Sequence, residues 1–243
     1  MDAKARINRC RETPERRFAV VIPVYNHGVK VKAVVLEAVK LGFPVIVVDD
    51  GSTDITPKRL QGIPGIRVIT HEHNLGKGAA LMTGFRVAAE MADFAITMDA
   101  DGQHFPKDAL AMIAAVPKGK KALIIGYRKQ MENASVPWTS RMGRRFSNLW
   151  ITASGGPGLR DSQSGFRIYP LSETLNLKTR SRRYQFEVEV LVKAHRNKIA
   201  VIEVPIRVAY PADRVSHFHP FIDFLRNSAT FSRLVFRRMI GLV

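Results

Sequence analysis

Through its first hundred residues the chain alternates short, uninterrupted apolar runs with segments whose apolar positions recur at helical spacing. Residues 18–24 form one such run, closed near its end by Pro23, and residues 29–40 place Val31, Val34, Val35, Ala38 and Val39 on one helical stripe. Further runs at 44–48, 66–70, 94–98 and 122–125 predict strands, with a short helix from about Asp54 and a longer one over 78–92 between them. Strands that are apolar on both faces and separated by amphipathic helices predict an α/β domain with a largely parallel sheet.

Beyond Gly126 the alternation loosens. A basic segment containing Trp138 and Trp150 spans 137–151, a Gly/Pro turn follows at 155–158, and a short apolar stretch lies at 165–169. Residues 184–194 read as helix, and 199–208 as a strand that Pro205 should break. Over 218–243, at about 100° per residue, Phe221, Phe224, Leu225, Phe231, Val235, Phe236 and Met239 share one side while Arg226, Arg233 and Arg237 lie opposite. That pattern predicts a basic amphipathic helix of the kind that lies in a membrane interface. No internal repeat or low-complexity linker interrupts the chain.

Charge sharpens the division. The formal net charge is +17, yet residues 18–117 sum to −1 and residues 118–243 to +15. A basic half implies an anionic partner, for which nucleic acid, phospholipid and phosphorylated substrates all qualify. The single cysteine, Cys10, cannot form an internal disulfide, the N-terminus lacks the apolar region of a secretory signal, and no run reaches the roughly 18 apolar residues of a spanning helix. The expectation is a cytoplasmic protein, peripheral at the inner face of a membrane.

Three polar segments carry the chemistry. Asp99-Ala100-Asp101-Gly102-Gln103-His104 leaves an apolar strand, and in open α/β sheets ligands bind beyond the carboxyl ends of strands. Two carboxylates one residue apart can share a hard divalent cation, Mg²⁺ or Mn²⁺, with the Gln103 amide oxygen a third ligand. Asp49-Asp50-Gly51-Ser52-Thr53-Asp54 follows another strand, where a carboxylate can accept from a ribose or base and Ser52, Thr53 or Asp54 can cap a helix. Asn74-Leu75-Gly76-Lys77-Gly78-Ala79 opens a helix whose amides, with Lys77, suit a phosphate, although it matches neither a Walker A nor a dinucleotide fingerprint.

In order and spacing these segments, preceded by Ile22-Pro23-Val24-Tyr25-Asn26, resemble the family-2 inverting glycosyltransferases of the GT-A fold, and among them the synthases that act like dolichyl-phosphate mannose or polyprenyl-phosphate sugar synthases. The resemblance spans about residues 18–217. It implies that Pro23, Tyr25, Asn26, Asp49 and Asp50 contact the nucleotide of a GDP- or UDP-sugar, and that Asp99, Asp101 and Gln103 hold the metal. It also implies an anionic lipid-linked acceptor, met by Arg128 and Arg141, with Arg145 a rival for the second role. Asp161-Ser162-Gln163-Ser164-Gly165-Phe166-Arg167 resembles the block that borders the reacting centre. Asp161 is the candidate base if the acceptor needs one; its other role is to pin the turn and pair with Arg167, itself a candidate acceptor ligand. Catalysis is expected to turn on Asp101, Asp161 and Arg128.

The chain departs from the pattern at His27, Gly102 and Phe105, and reads Arg214-Val215-Ser216-His217 where a Ser-Lys pair is usual; Arg214 can take the lysine's part as a phosphate ligand. The expected organisation is a basic tail over 1–17, a GT-A domain over 18–217 whose nucleotide and metal half ends at 117, and an amphipathic helix over 218–243. A hydroxyl acceptor on a lipid or glycan and a sugar nucleotidyltransferase are the enzymatic alternatives. A nucleic-acid-binding protein, suggested by charge alone, leaves Asp99 and Asp101 unexplained.

Overall fold

The computed structural model of the chain describes residues 16–129, 148–209 and 232. Its centre is a seven-stranded sheet of β1 (Phe18–Val24), β2 (Val45–Asp49), β3 (Ile66–Thr70), β4 (Phe94–Thr97), β5 (Ala122–Arg128), β6 (Arg167–Pro170) and β7 (Ala200–Ile206), in the spatial order β3-β2-β1-β4-β6-β5-β7. β1, β2, β3 and β4 are mutually parallel, as are β5 and β7, while β6 runs antiparallel between β4 and β5.

The two faces of the sheet are filled by alternate residues of the same strands. Val20, Ile22, Val47, Ile96, Ile124 and Ile168 face helices α1 (Val31–Val39) and α4 (Asp108–Ala114). Val21, Ile46, Val48, Leu123 and Tyr169 face α3 (Lys77–Ala88) and α6 (Gln185–Arg196). Such two-sided burial is why the strands read as unbroken apolar runs. At Gly84 the backbone of α3 lies so close to Val21 of β1 that a Cβ would collide with its side chain. Two short helices, α2 (Thr56–Leu60) and α5 (Leu171–Asn176), complete the described elements.

One expectation changes, and one unassigned stretch gains an element. The last strand is not broken at Pro205, which pairs opposite Tyr127; β7 lies at the sheet's edge, where a missing backbone N–H costs no ladder bond. The stretch at 165–169 becomes a strand only from Arg167, and it runs against its neighbours, a direction that its composition does not encode. Among the described residues no helix is long and apolar enough to cross a membrane. The 1–15 part of the basic tail, Trp138, Arg141, Arg145, Arg214 and the 218–243 helix, Ser232 excepted, lie outside the described residues.

Candidate active site

Parallel pairing of β1 with β2 and β4 brings Tyr25 and Asn26, Asp49 and Asp50, and Asp99 to Gln103 to one edge of the sheet, the carboxyl ends of those strands. Asn26, at φ 54°, stitches two of these loops together: its Oδ1 accepts from the amides of Thr53 (2.8 Å) and Asp54 (3.3 Å), and its own N–H donates to Ser52 Oγ (2.9 Å). Asp54 Oδ1 accepts from Thr56 N at 2.8 Å in a turn that leads into α2, whose N-cap position, Ile55, has no side-chain cap. Pro23 is buried within β1 beside Val48, and Tyr25 follows it half-buried.

The paired aspartates after β2 divide their work. Asp50 accepts from Leu75 N (3.0 Å), Gly76 N (2.8 Å) and His71 Nδ1 (2.7 Å), so both its oxygens are committed to the protein. Asp49 accepts from Ser52 N at 3.0 Å through Oδ1, while its Oδ2 is buried with no hydrogen-bond partner. Asn74 Oδ1 and Gln103 Nε2 are unpartnered in the same way. A buried carboxylate oxygen without a donor costs about 1–3 kcal/mol, which is recovered when a ligand brings one.

The phosphate cradle expected at 74–79 takes a different form. Besides the two amides held by Asp50, Ala79 N donates to Arg182 O at 2.8 Å, so three of the N–H groups offered to an anion already have partners. Lys77 turns instead between two carboxylates, with Nζ 2.6 Å from Asp99 and 2.9 Å from Glu187. Burial would lower its pKa, but Asp99 and Glu187 outweigh burial and raise it. Glu187, on the first turn of α6, escaped the sequence reading; its signal was the pair of acids, Glu187 and Glu189, buried within an otherwise apolar helical run.

Asp99 remains ionised throughout the working range. Burial pushes its carboxyl up, and the charges of Lys77 and His104 overcome this and hold it at about 2. Burial lowers His104 in spite of Asp99 and Asp101, and the ring packs against Phe166 at 5.1 Å. Asp101 Oδ1 accepts from Gln103 N at 3.0 Å, closing the turn that follows Asp99. Among the described residues no three His, Cys, Asp or Glu side chains gather to enclose a metal ion. Two adjacent carboxylates and an amide fit the other kind of site, in which Mg²⁺ or a similar cation keeps most of its positions for water and substrate phosphates.

On the far side of β6, Arg128 and Asp161 form a two-pronged pair: Nε to Oδ2 at 2.7 Å and Nη2 to Oδ1 at 2.9 Å. Asp161 is fully buried; burial pushes its pKa up, but the hydrogen bonds and charge of Arg128 prevail and hold it below the usual range. The partner of Asp161 is therefore Arg128, not Arg167. Arg167 is also fully buried and donates to the carbonyls of Ser164 (2.7 Å), Ser162 (2.7 Å) and Glu187 (2.9 Å). Its guanidinium staples the 161–165 loop to α6, which corrects the expectation that it meets the acceptor.

A family model described as glycosyl transferase family 2 matches residues 19–175, more than half of the chain and all three acidic and glycine-rich motifs. The chain belongs to that family. This glycosyltransferase is 33% identical over 218 residues to a UDP-N-acetylglucosamine–dolichyl-phosphate N-acetylglucosaminyltransferase of Methanococcus voltae, covering 81% of this chain and 87% of that one. It is 30% identical over 208 residues to a polyprenol monophosphomannose synthase of Mycolicibacterium smegmatis, covering 79% and 77%. Its GT-A fold is shared with glucosyl-3-phosphoglycerate synthase of Mycobacterium tuberculosis, solved with Mn²⁺ and UDP-glucose: TM-score 0.64 at 20% identity, over 94% of the glycosyltransferase and 80% of that chain.

Proposed function

We propose that this glycosyltransferase moves a sugar from a UDP- or GDP-sugar to a polyprenyl phosphate, with inversion at the anomeric carbon, from the cytoplasmic face of a membrane. The observation that carries the reading is the pairing of Asp161 with Arg128. A hydroxyl acceptor needs a carboxylate able to take its proton, and Asp161, the candidate for that role, is instead clamped by a guanidinium that depresses its basicity. A phosphate acceptor is already anionic near neutral pH, needs no base, and suits a guanidinium partner. The acceptors named for the two relatives, dolichyl phosphate and a polyprenol monophosphate, are of this chemical class.

In the proposed reaction an acceptor phosphate oxygen forms a bond to the anomeric carbon. The bond to the nucleoside diphosphate breaks on the opposite face, and its electron pair leaves with the diphosphate. Asp49 accepts from the nucleoside through the oxygen that lacks a partner in the protein, with Pro23, Tyr25 and Asn26 shaping the same edge. Asp99, Asp101 and Gln103 would hold Mg²⁺ or Mn²⁺, which neutralises the departing diphosphate when bound. Arg128, with its plane fixed by Asp161, orients the acceptor phosphate.

The test is transfer of labelled sugar from UDP-N-acetylglucosamine, UDP-glucose and GDP-mannose to a short polyprenyl phosphate with Mn²⁺ present. Label in an acid-labile, organic-soluble glycosyl phosphate is the expected product. Transfer only to hydroxyl acceptors, with none to the phosphate, overturns the reading.

A further inference from the structure

One ammonium is shared here by two carboxylates that belong to different parts of the fold. Lys77 opens α3, Asp99 follows β4, and Glu187 sits in the first turn of α6. The shared position is built with care on both sides. Gly165 lies against the Lys77–Asp99 pair so closely that a Cβ would strike Asp99 Oδ2 and come within 2.8 Å of Lys77 Nζ, and the Gly165 carbonyl is held by Thr97 Oγ1 at 2.8 Å. Glu187 is fixed by its own backbone, whose carbonyl receives Arg167 Nη1 at 2.9 Å. The starts of α3 and α6 are joined through Ala79 N to Arg182 O, and Gly78 abuts Phe186.

Asp99 and Glu187 differ in what else they can bind. Asp99 lies two residues from Asp101, with which it would hold the proposed cation, whereas Glu187 is buried on α6, across the Lys77 ammonium from Asp99. A divalent cation taking Asp99 repels the Lys77 ammonium, and an ammonium left in a buried site without an anion is costly. Lys77, Asp99 and Glu187 together carry one net negative charge, and Asp101, two residues from Asp99, adds a second, the charge that one divalent cation balances.

We propose that Glu187 is a positioning residue that retains Lys77 when Asp99 is given over to a divalent cation, so that the lysine moves from a shared position wholly onto α6 instead of competing for the cation's ligand. The proposal rests on the metal reading of Asp99 and Asp101. In the resting protein Lys77 stands in for the cation at Asp99; in the loaded protein Glu187 keeps its ammonium beside the diphosphate, with its charge compensated.

Titration of Mn²⁺ alone into the purified protein, followed by the loss of the free-ion electron paramagnetic resonance signal, reads this without any turnover. Glu187→Gln keeps the shape and removes the charge; it is expected to weaken Mn²⁺ binding roughly tenfold, because Lys77 then has only Asp99. Lys77→Met is expected to tighten binding by a similar factor. The two changes together should bind like Lys77→Met alone, since Glu187 acts only through the lysine. Equal weakening by Glu187→Gln in both backgrounds would mean that Glu187 acts as a remote charge, and no weakening in either would mean that it is structural; both overturn the proposal. Asp101→Ala in the same titration separates the two levels. If it abolishes binding while Glu187→Gln has no effect, only this proposal fails; if it leaves binding intact, the metal site and this proposal fail together.

Discussion

The carboxylate of Asp50 holds the backbone amide of Gly76 at 2.8 Å, tying the end of β2 to the residue before α3. The bond sets where Lys77 begins its reach to Asp99. Asp50→Asn would turn an amide N–H₂ toward a backbone N–H, leaving a buried donor unpaired. The expected loss is about 2 kcal/mol of stability by urea unfolding, with transfer reduced because Lys77 is displaced.

Asp101→Ala should abolish transfer, by roughly a thousandfold or more if the cation supplies about 4 kcal/mol to the departing diphosphate. Asp101 is half-buried and its carboxylate accepts from the Gln103 amide at the surface of a turn, so the melting temperature should change little. Near-normal turnover in this variant removes the metal assignment.

Gly165→Ala would place a methyl group where Asp99 Oδ2 and Lys77 Nζ meet. The pair must part or the loop must shift, at about 1–3 kcal/mol. The predicted outcome is a fall in kcat larger than the fall in stability, since the displaced groups are those of the site. A variant with full activity would show that this close approach has no bearing on the reaction.

The Arg128–Asp161 pair gives a pH dependence with a definite sign. The folded pKa of Asp161 is depressed, so the pair's stabilisation is present above the ordinary carboxylate range and is lost as pH falls through the folded value. Asp161→Asn should therefore lower stability at neutral pH by about 3 kcal/mol, and the gap to the unmodified protein should close in acid. Parallel urea titrations across that range check it; a gap that widens on acidification contradicts the sign.

Much of this site could be read before any coordinates. Phe18–Val24, Val45–Asp49 and Phe94–Thr97 announced themselves because strands covered on both faces tolerate little polarity, so the first polar residues after them stood out as the acidic motifs. Helices α4 and α5 did not, because each is only two turns or less and buries just two residues. The partners were illegible for another reason. That Asp161 chooses Arg128 over Arg167, and that Lys77 meets Glu187, depends on the crossing of β6 and the docking of α6 on α3, contacts between segments far apart in the chain.

The basic, Phe-bearing periodicity of residues 218–243 makes a prediction of its own. A variant ending at residue 217 should be released from sedimenting vesicles that contain anionic lipid, while the 243-residue chain stays bound at low salt. Equal sedimentation of both would exclude the interfacial role.

The reversed strand β6 also limits how this protein can be divided. Because it is zipped to β4 on one side and to β5 on the other, the sheet has no seam between the part that holds Asp49, Asp50 and Asp99 and the part that holds Arg128 and Asp161. A fragment stopped before residue 167 would leave β4 as a raw, apolar border with unsatisfied backbone groups, open to pairing with other copies. The two parts therefore cannot be exchanged between related enzymes at this junction as separable cassettes; a working chimera has to carry β6 together with both of its neighbours.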